Sequence, residues 1–165
     1  MKKILSIITL LSLITVMLSG CSLFGTKVIK DELITIEKIS QDKMEELVKA
    51  NNDVVSTIYG NPKFFTTAEL RGHISEYYDE DVIETYFTKK IFYDKDGKIV
   101  STIKTENRKN ISEMDFTINT NDISIINDKQ SFEVVFSDGE TEYKIEFTAI
   151  YNKNISDWVL EDIVL

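Results

Sequence analysis

The hydrophobic period of this chain changes once, near residue 90, and that change limits the folds open to it. Before it, apolar residues recur at helical spacing; after it, they alternate. Ser40 reads as an N-cap, followed by Met44, Leu47, Val48, Val54, Val55 and Ile58 on one face. Ile39 and Met44 have the spacing of a hydrophobic staple. Gly60, with Asn61 and Pro62 behind it, predicts the stop, although residues 54–59 also read as a strand. Thr66 and Glu69 match a capping box and Phe65 with Leu70 a staple, so a second helix carries Leu70, Ile74 and Tyr77 on one face. Gly72 inside it costs about 1 kcal/mol relative to alanine, which calls for a close neighbour there or leaves the helix weak. Asp79 caps a third, short helix. Glu80 and Asp81 fill its first turn, Val82, Ile83, Tyr86 and Phe87 form its buried stripe, and Lys89 and Lys90 end it with the sign the helix dipole favours.

Beyond Lys90 the expected strands are 91–93, 98–103, 114–118, 123–126, 131–137, 142–151 and 157–164. Asp94-Lys95-Asp96-Gly97 and Asp138-Gly139 are hairpin signals, and 105–110 reads as a polar loop. Tyr143, Ile145, Phe147 and Ala149 alternate with Lys144, Glu146 and Thr148, giving one dry and one wet face. Helices first and antiparallel strands after predict an α+β domain, with N-terminal helices packed on a curved antiparallel sheet. Such meanders recur in nuclear transport factor 2-like and cystatin-like folds, an analogy of fold that carries no function.

The first residues do not belong to that domain. Lys2 and Lys3 precede an uncharged run over residues 4–18, and Leu18-Ser19-Gly20-Cys21 follows, the layout of a secretory signal. The run is 15 residues long, short of the ~20 that span hydrocarbon as a helix. Leu18 to Cys21 resembles the lipobox of bacterial lipoproteins. The resemblance implies diacylglyceryl transfer to the Cys21 sulfur and cleavage before it. The expected layout is a signal peptide over 1–20, lipid attachment and tether over 21–30, and one α+β domain over 31–165. Two acyl chains hold a protein stably at a bilayer, so the expected location is the outer face of the cytoplasmic membrane, facing the cell wall. Cys21 is the only cysteine of the 165 residues, which excludes internal disulfides and thiolate zinc clusters.

Cleavage would remove two lysines and no acid, taking the net charge from −9 to −11. A nucleic-acid partner is not expected, because phosphate recognition needs clustered Lys and Arg. His73 is the single histidine. It reads either as a helix-boundary residue or as a base paired with an aspartate in a pocket. Asp79, Glu80 and Asp81 could offer acids to a cation, but they lack the alternate spacing and glycine turn of a calcium loop and suit a helix cap better. No Gly-rich phosphate loop or nucleophile elbow occurs. The residues therefore predict no cofactor, no metal and no catalysis. Four aromatic pairs, Phe64-Phe65, Tyr77-Tyr78, Tyr86-Phe87 and Phe92-Tyr93, each give one residue to the core and leave the other as core or groove lining.

From Phe64 onward the chain resembles the IseA-type D,L-endopeptidase inhibitor family, secreted or lipid-anchored proteins of Gram-positive bacteria. The residues behind the resemblance are Phe65-Thr66-Thr67-Ala68-Glu69-Leu70-Arg71, Tyr78-Asp79-Glu80-Asp81-Val82-Ile83-Glu84, Asp96-Gly97-Lys98 and the closing strands through Trp158. It implies a protein that blocks the cleft of a peptidoglycan endopeptidase of the NlpC type, with contacts in the loop over 105–115. Glu106, Glu113 and Asp115 are the candidate contact residues there. The loop lacks the glycine and proline expected of the family, a departure that bears on those contacts. The alternatives are a small-molecule binding lipoprotein with a cone-shaped pocket and a pocket enzyme with His73 as base.

Overall fold

The structure is a computed structural model that describes residues 36–165, apart from Lys90, Asn107 and the side chains of Thr88, Asn121, Asp122, Ser124 and Ile125. The expected signal peptide, Cys21 and the expected tether lie outside the described residues. Three helices, α1 (Gln41–Ile58), α2 (Thr67–Tyr77) and α3 (Glu80–Thr88), precede six strands: β1 (Phe92–Lys95), β2 (Lys98–Ser101), β3 (Asp115–Ile126), β4 (Lys129–Ser137), β5 (Glu142–Asn152) and β6 (Asp157–Leu160). The α+β class expected from the period change is the class observed, with helices packed on an antiparallel sheet. β1 and β2 form a separate two-stranded sheet, and β3-β4-β5-β6 form a meander.

Each helix starts where its capping residue stands. The Ser40 hydroxyl accepts from the Lys43 N–H at 3.2 Å, and Ile39 and Met44 both enter the core. α1 runs through residues 54–58 without turning into a strand. It stops in a Schellman arrangement: Gly60 (φ +86) donates to the Thr57 carbonyl and Asn61 to that of Ser56. Thr66 accepts from Glu69 N–H at 3.2 Å, and the Glu69 carboxylate accepts from Phe65 N–H at 2.8 Å. The box thus reaches one residue further back than expected. The staple of Phe65 on Leu70 does not form, because Phe65 is 79% exposed while Leu70 is buried. Phe64 turns inward in its place and packs against the core. Gly72 is exposed, and a Cβ there would meet nothing within 4 Å. No close packing explains this glycine, so the helix simply carries its cost. Asp79 caps α3 through Asp81 N–H at 3.1 Å.

One core joins the layers. Met44, Leu47, Val48, Val54, Val55 and Ile58 of α1 with Leu70 and Ile74 of α2 share it with Phe132, Val134, Phe136, Phe147, Ala149, Trp158 and Leu160 from one face of the sheet. The register places Phe136 opposite Tyr143, Val134 opposite Ile145, Phe132 opposite Phe147 and Gln130 opposite Ala149, so the alternation read in β5 is the alternation observed. Buried Gln130 is satisfied by accepting the Ile39 N–H at 3.0 Å.

Three strand expectations change. The segments 114–118 and 123–126 are the two halves of one strand, β3. Its pairing with β4 shifts between Asn119 and Ser124, where residues 120–123 lie opposite Phe132 alone. The first hairpin turn is only Asp96-Gly97, with φ of +52 and +75, the type I′ geometry that suits strand twist. The last strand ends at Leu160 instead of Val164. There the tail is drawn off the sheet, because buried Asn51 on α1 accepts from Val164 N–H and donates to the Val164 carbonyl, both at 2.9 Å.

Candidate functional site

The loop between β2 and β3, where the resemblance puts the candidate contact residues, has neither glycine nor proline yet is firmly held. The Tyr59 hydroxyl, at the end of α1, donates to the Lys109 carbonyl at 2.9 Å. Asn61 Nδ2 donates to Glu113 Oε1 at 3.1 Å. Asn110 Oδ1 caps a single 3-10 turn (Ile111–Glu113) by accepting from Ser112 N–H and Oγ. Ile111 is buried beneath it. Lys109 reaches the β4–β5 turn, with its ammonium 3.9 Å from Asp138 and 5.8 Å from the centre of the Tyr143 ring. Asp138 also accepts from the backbone of Thr141 and Glu140, and these bonds hold its carboxyl below its ordinary range.

Glu106, Glu113 and Asp115 are all exposed. Glu106 lies in the loop, Glu113 is engaged by Asn61, and Asp115 opens β3 opposite Ser137. They do not stand as an unbroken acidic surface, since Lys104, Arg108 and Lys109 are exposed on the same loop. Lysine and arginine between the acids were visible in the sequence, and a count of both signs along the loop would have shown this mixed character.

A second feature lies where the β1–β2 hairpin meets the start of α2. Asp94 accepts from Thr67 N–H at 3.0 Å and from Thr67 Oγ1 at 2.8 Å. Above this junction opens a groove of about 560 Å³ lined by Thr67, Phe87, Phe92, Tyr93, Asp94 and Thr102. Phe92 is the core member of its pair, and Tyr93, 37% exposed, forms part of the wall. Phe87 is the wall member of its pair, and the Arg71 guanidinium lies 5.7 Å from its ring centre. Phe92-Tyr93 is thus divided between core and wall, whereas at Tyr86-Phe87 both rings are only half-buried. At Tyr77-Tyr78 the second member is the one fully enclosed: Tyr78 is buried and donates to Asn51 Oδ1 at 3.0 Å.

His73 lies on α2 and faces Asp53 of α1. Its ring is flanked by Phe64 at 4.9 Å and Tyr77 at 5.0 Å. Nε2 lies 3.8 Å from Asp53 Oδ2 and makes no hydrogen bond, while Asp53 Oδ1 is paired with Lys63. Asp53 is the aspartate such a pairing would need, and the sequence does not single it out; about three helical turns and a loop separate it from His73, so only the packing of α1 on α2 reveals it. Among the described residues, no group of three or more His, Cys, Asp or Glu side chains is arranged to hold a metal ion, and no helix is long and apolar enough to cross a membrane.

Comparison of the sequence with protein-family models gives no match, and comparison with curated proteins finds no similar one.

Proposed function

We propose that this chain is a lipid-anchored protein of the outer face of the cytoplasmic membrane, and that its acidic domain binds and restrains a cell-wall hydrolase, a peptidoglycan D,L-endopeptidase of the NlpC type. The observation that carries the reading is the anchoring of the 102–114 loop. A loop that must block a cleft gains affinity when it is already ordered, because less conformational entropy is lost on binding. Here Tyr59, Asn61 and Asp138 hold the loop from two directions while Glu106 stays exposed. The net charge of −9 favours a partner with a cationic cleft.

The test is digestion of peptidoglycan by several NlpC-type endopeptidases with residues 22–165 added. The expected result is slower digestion, weakened in about 0.5 M salt, where charges more than a few ångströms apart are screened. Digestion at an unchanged rate with every enzyme at micromolar inhibitor would overturn the reading. The anchor is tested separately: labelled fatty acid should be incorporated by the chain and lost in Cys21→Ala.

A second reading is favoured by the groove at the hairpin. Its volume lies in the range of small-molecule sites, and three aromatic residues with a few polar groups are a common lining for one. Mass spectrometry of the purified protein should then find a co-purifying ligand that is lost in Tyr93→Ala. A protein that carries nothing, with Tyr93→Ala indistinguishable from the parent, would remove this reading.

A further inference from the structure

The net charge of −9 conceals one stretch of opposite sign. Residues 89–104 hold five lysines, two aspartates and no other charged residue. They cover the end of α3, the β1–β2 hairpin and the first residues after it. The hairpin is fixed to the domain by one face. Phe92 and Ile99 on that face are buried, and Asp94 accepts two hydrogen bonds from Thr67. Side chains alternate along a strand, so the opposite face carries Tyr93 and Lys95 with their register partners Val100 and Lys98.

That outer face is charged and unanswered. Lys95 and Lys98 stand directly opposite each other in the last pair before the turn. Like charges so placed repel and weaken a hairpin. Among the described residues neither has a carboxylate within 4 Å, and the same holds for Lys89 and Lys104; all four lysines are exposed. Asp94 is turned to Thr67, and Asp96 sits in the turn itself. At the other end Thr102 N–H donates to the Ile91 carbonyl at 2.9 Å. Lys89 and Lys104 each lie two residues beyond that bond. Lysines therefore stand at both ends of the hairpin, with Tyr93, 37% exposed, between them.

We propose that the outer face of the β1–β2 hairpin docks on an anionic lipid bilayer, with Lys95 and Lys98 over headgroup phosphates and the Tyr93 ring at the interface. Lysine and tyrosine are the residue types that suit the boundary between water and hydrocarbon. The acidic remainder of the chain does not prevent this. At 0.1 M salt charges are screened over ~10 Å, so a bilayer reads the pole nearest to it and not the net charge. Repulsion of the acidic remainder instead turns the hairpin toward the surface. The inference rests on reading the chain as held at a membrane. It adds a contact made by the domain itself to the one expected through Cys21.

The test places the full chain in phosphatidylcholine vesicles, with or without phosphatidylglycerol as about a third of the lipid, and follows amide exchange over residues 92–101. Slower exchange there is expected only with phosphatidylglycerol, and about 0.5 M salt should abolish it. A lysine near an anionic surface is worth about fivefold in binding, so Lys95→Gln with Lys98→Gln should lower the ratio of docked to free hairpin about 25-fold. Lys95→Arg with Lys98→Arg should keep it. The glutamine variant should unfold in urea at no lower a midpoint than the parent, because it relieves a repulsion; a lower midpoint would make these lysines structural and overturn the proposal. Equal exchange in the two vesicles, protection at another segment, or the same protection from dissolved polyphosphate without vesicles would each overturn it as well. Labelling with fatty acid separates this claim from the one it rests on. If Cys21 is acylated and the hairpin exchanges alike in both vesicles, the anchor stands and the contact fails. If no fatty acid is incorporated and phosphatidylglycerol still protects the hairpin, the contact stands and the anchor fails.

Discussion

Replacing Asn51 by alanine tests how this domain holds its C-terminus. Asn51 is completely buried on α1, and its amide satisfies three groups: the Tyr78 hydroxyl at 3.0 Å and the N–H and carbonyl of Val164 at 2.9 Å. Alanine removes all three bonds. Tyr78 is 1% exposed, so its hydroxyl would be left buried without a partner, at about 1–3 kcal/mol. Val164 is only half-buried and can turn to water, so its two bonds cost about 0.5–1.5 kcal/mol each. The expected loss is about 3 kcal/mol in urea unfolding followed by Trp158 fluorescence. Tyr78→Phe supplies the decisive control. In the Asn51→Ala background there is no bond left to lose, so Tyr78→Phe should cost at least about 1 kcal/mol less than in the parent. Additive losses, or a loss from Asn51→Ala below about 1 kcal/mol, would refute the assignment of Asn51 as the tie between α1, Tyr78 and the tail.

Three further outcomes follow from single residues. Gly72→Ala should stabilise the domain by about 0.5–1 kcal/mol, read as a raised urea midpoint, because the site is open and alanine restricts the unfolded chain. Phe65→Ser should change the unfolding free energy measured in urea by less than about 0.5 kcal/mol, since the ring stands outside the core; a larger loss would restore the staple. Tyr86 is pushed up to about 12 by burial, with Asp162 adding to the shift through its charge and through the hydrogen bond it accepts. A phenol whose folded value is raised gives stability that is complete below pH 10 and lost as the pH climbs toward 12, because the unfolded chain releases its proton first. Tyr86→Phe should therefore flatten the fall of thermal midpoint between pH 10 and 12, and an unchanged slope would count against the burial of this hydroxyl.

The helices were legible because their signals are local. Ser40, Thr66 and Asp79 each bond a backbone N–H two or three residues away, and Gly60 ends α1 through its own left-handed φ. The alternation in β5 was legible for the same reason: one dry face repeats every second residue. What escaped reading was decided at long range. The bulge in β3 makes one strand of two readable halves, and nothing in residues 120–123 says they will lie opposite Phe132. The order of the loop between β2 and β3 likewise comes from Tyr59 and Asn61, about fifty positions away.

Sequence alone determined the order of helices and strands, the class of the fold, the acidic charge and which residues begin each helix, because propensity, capping and periodicity act over one or two turns of chain. Only the tertiary structure decided that Phe64 and not Phe65 turns inward, that His73 faces Asp53 and that Asn51 pulls the tail from the sheet. Those outcomes depend on surfaces that come together only when distant segments pack, and no local pattern encodes the partner a side chain will meet.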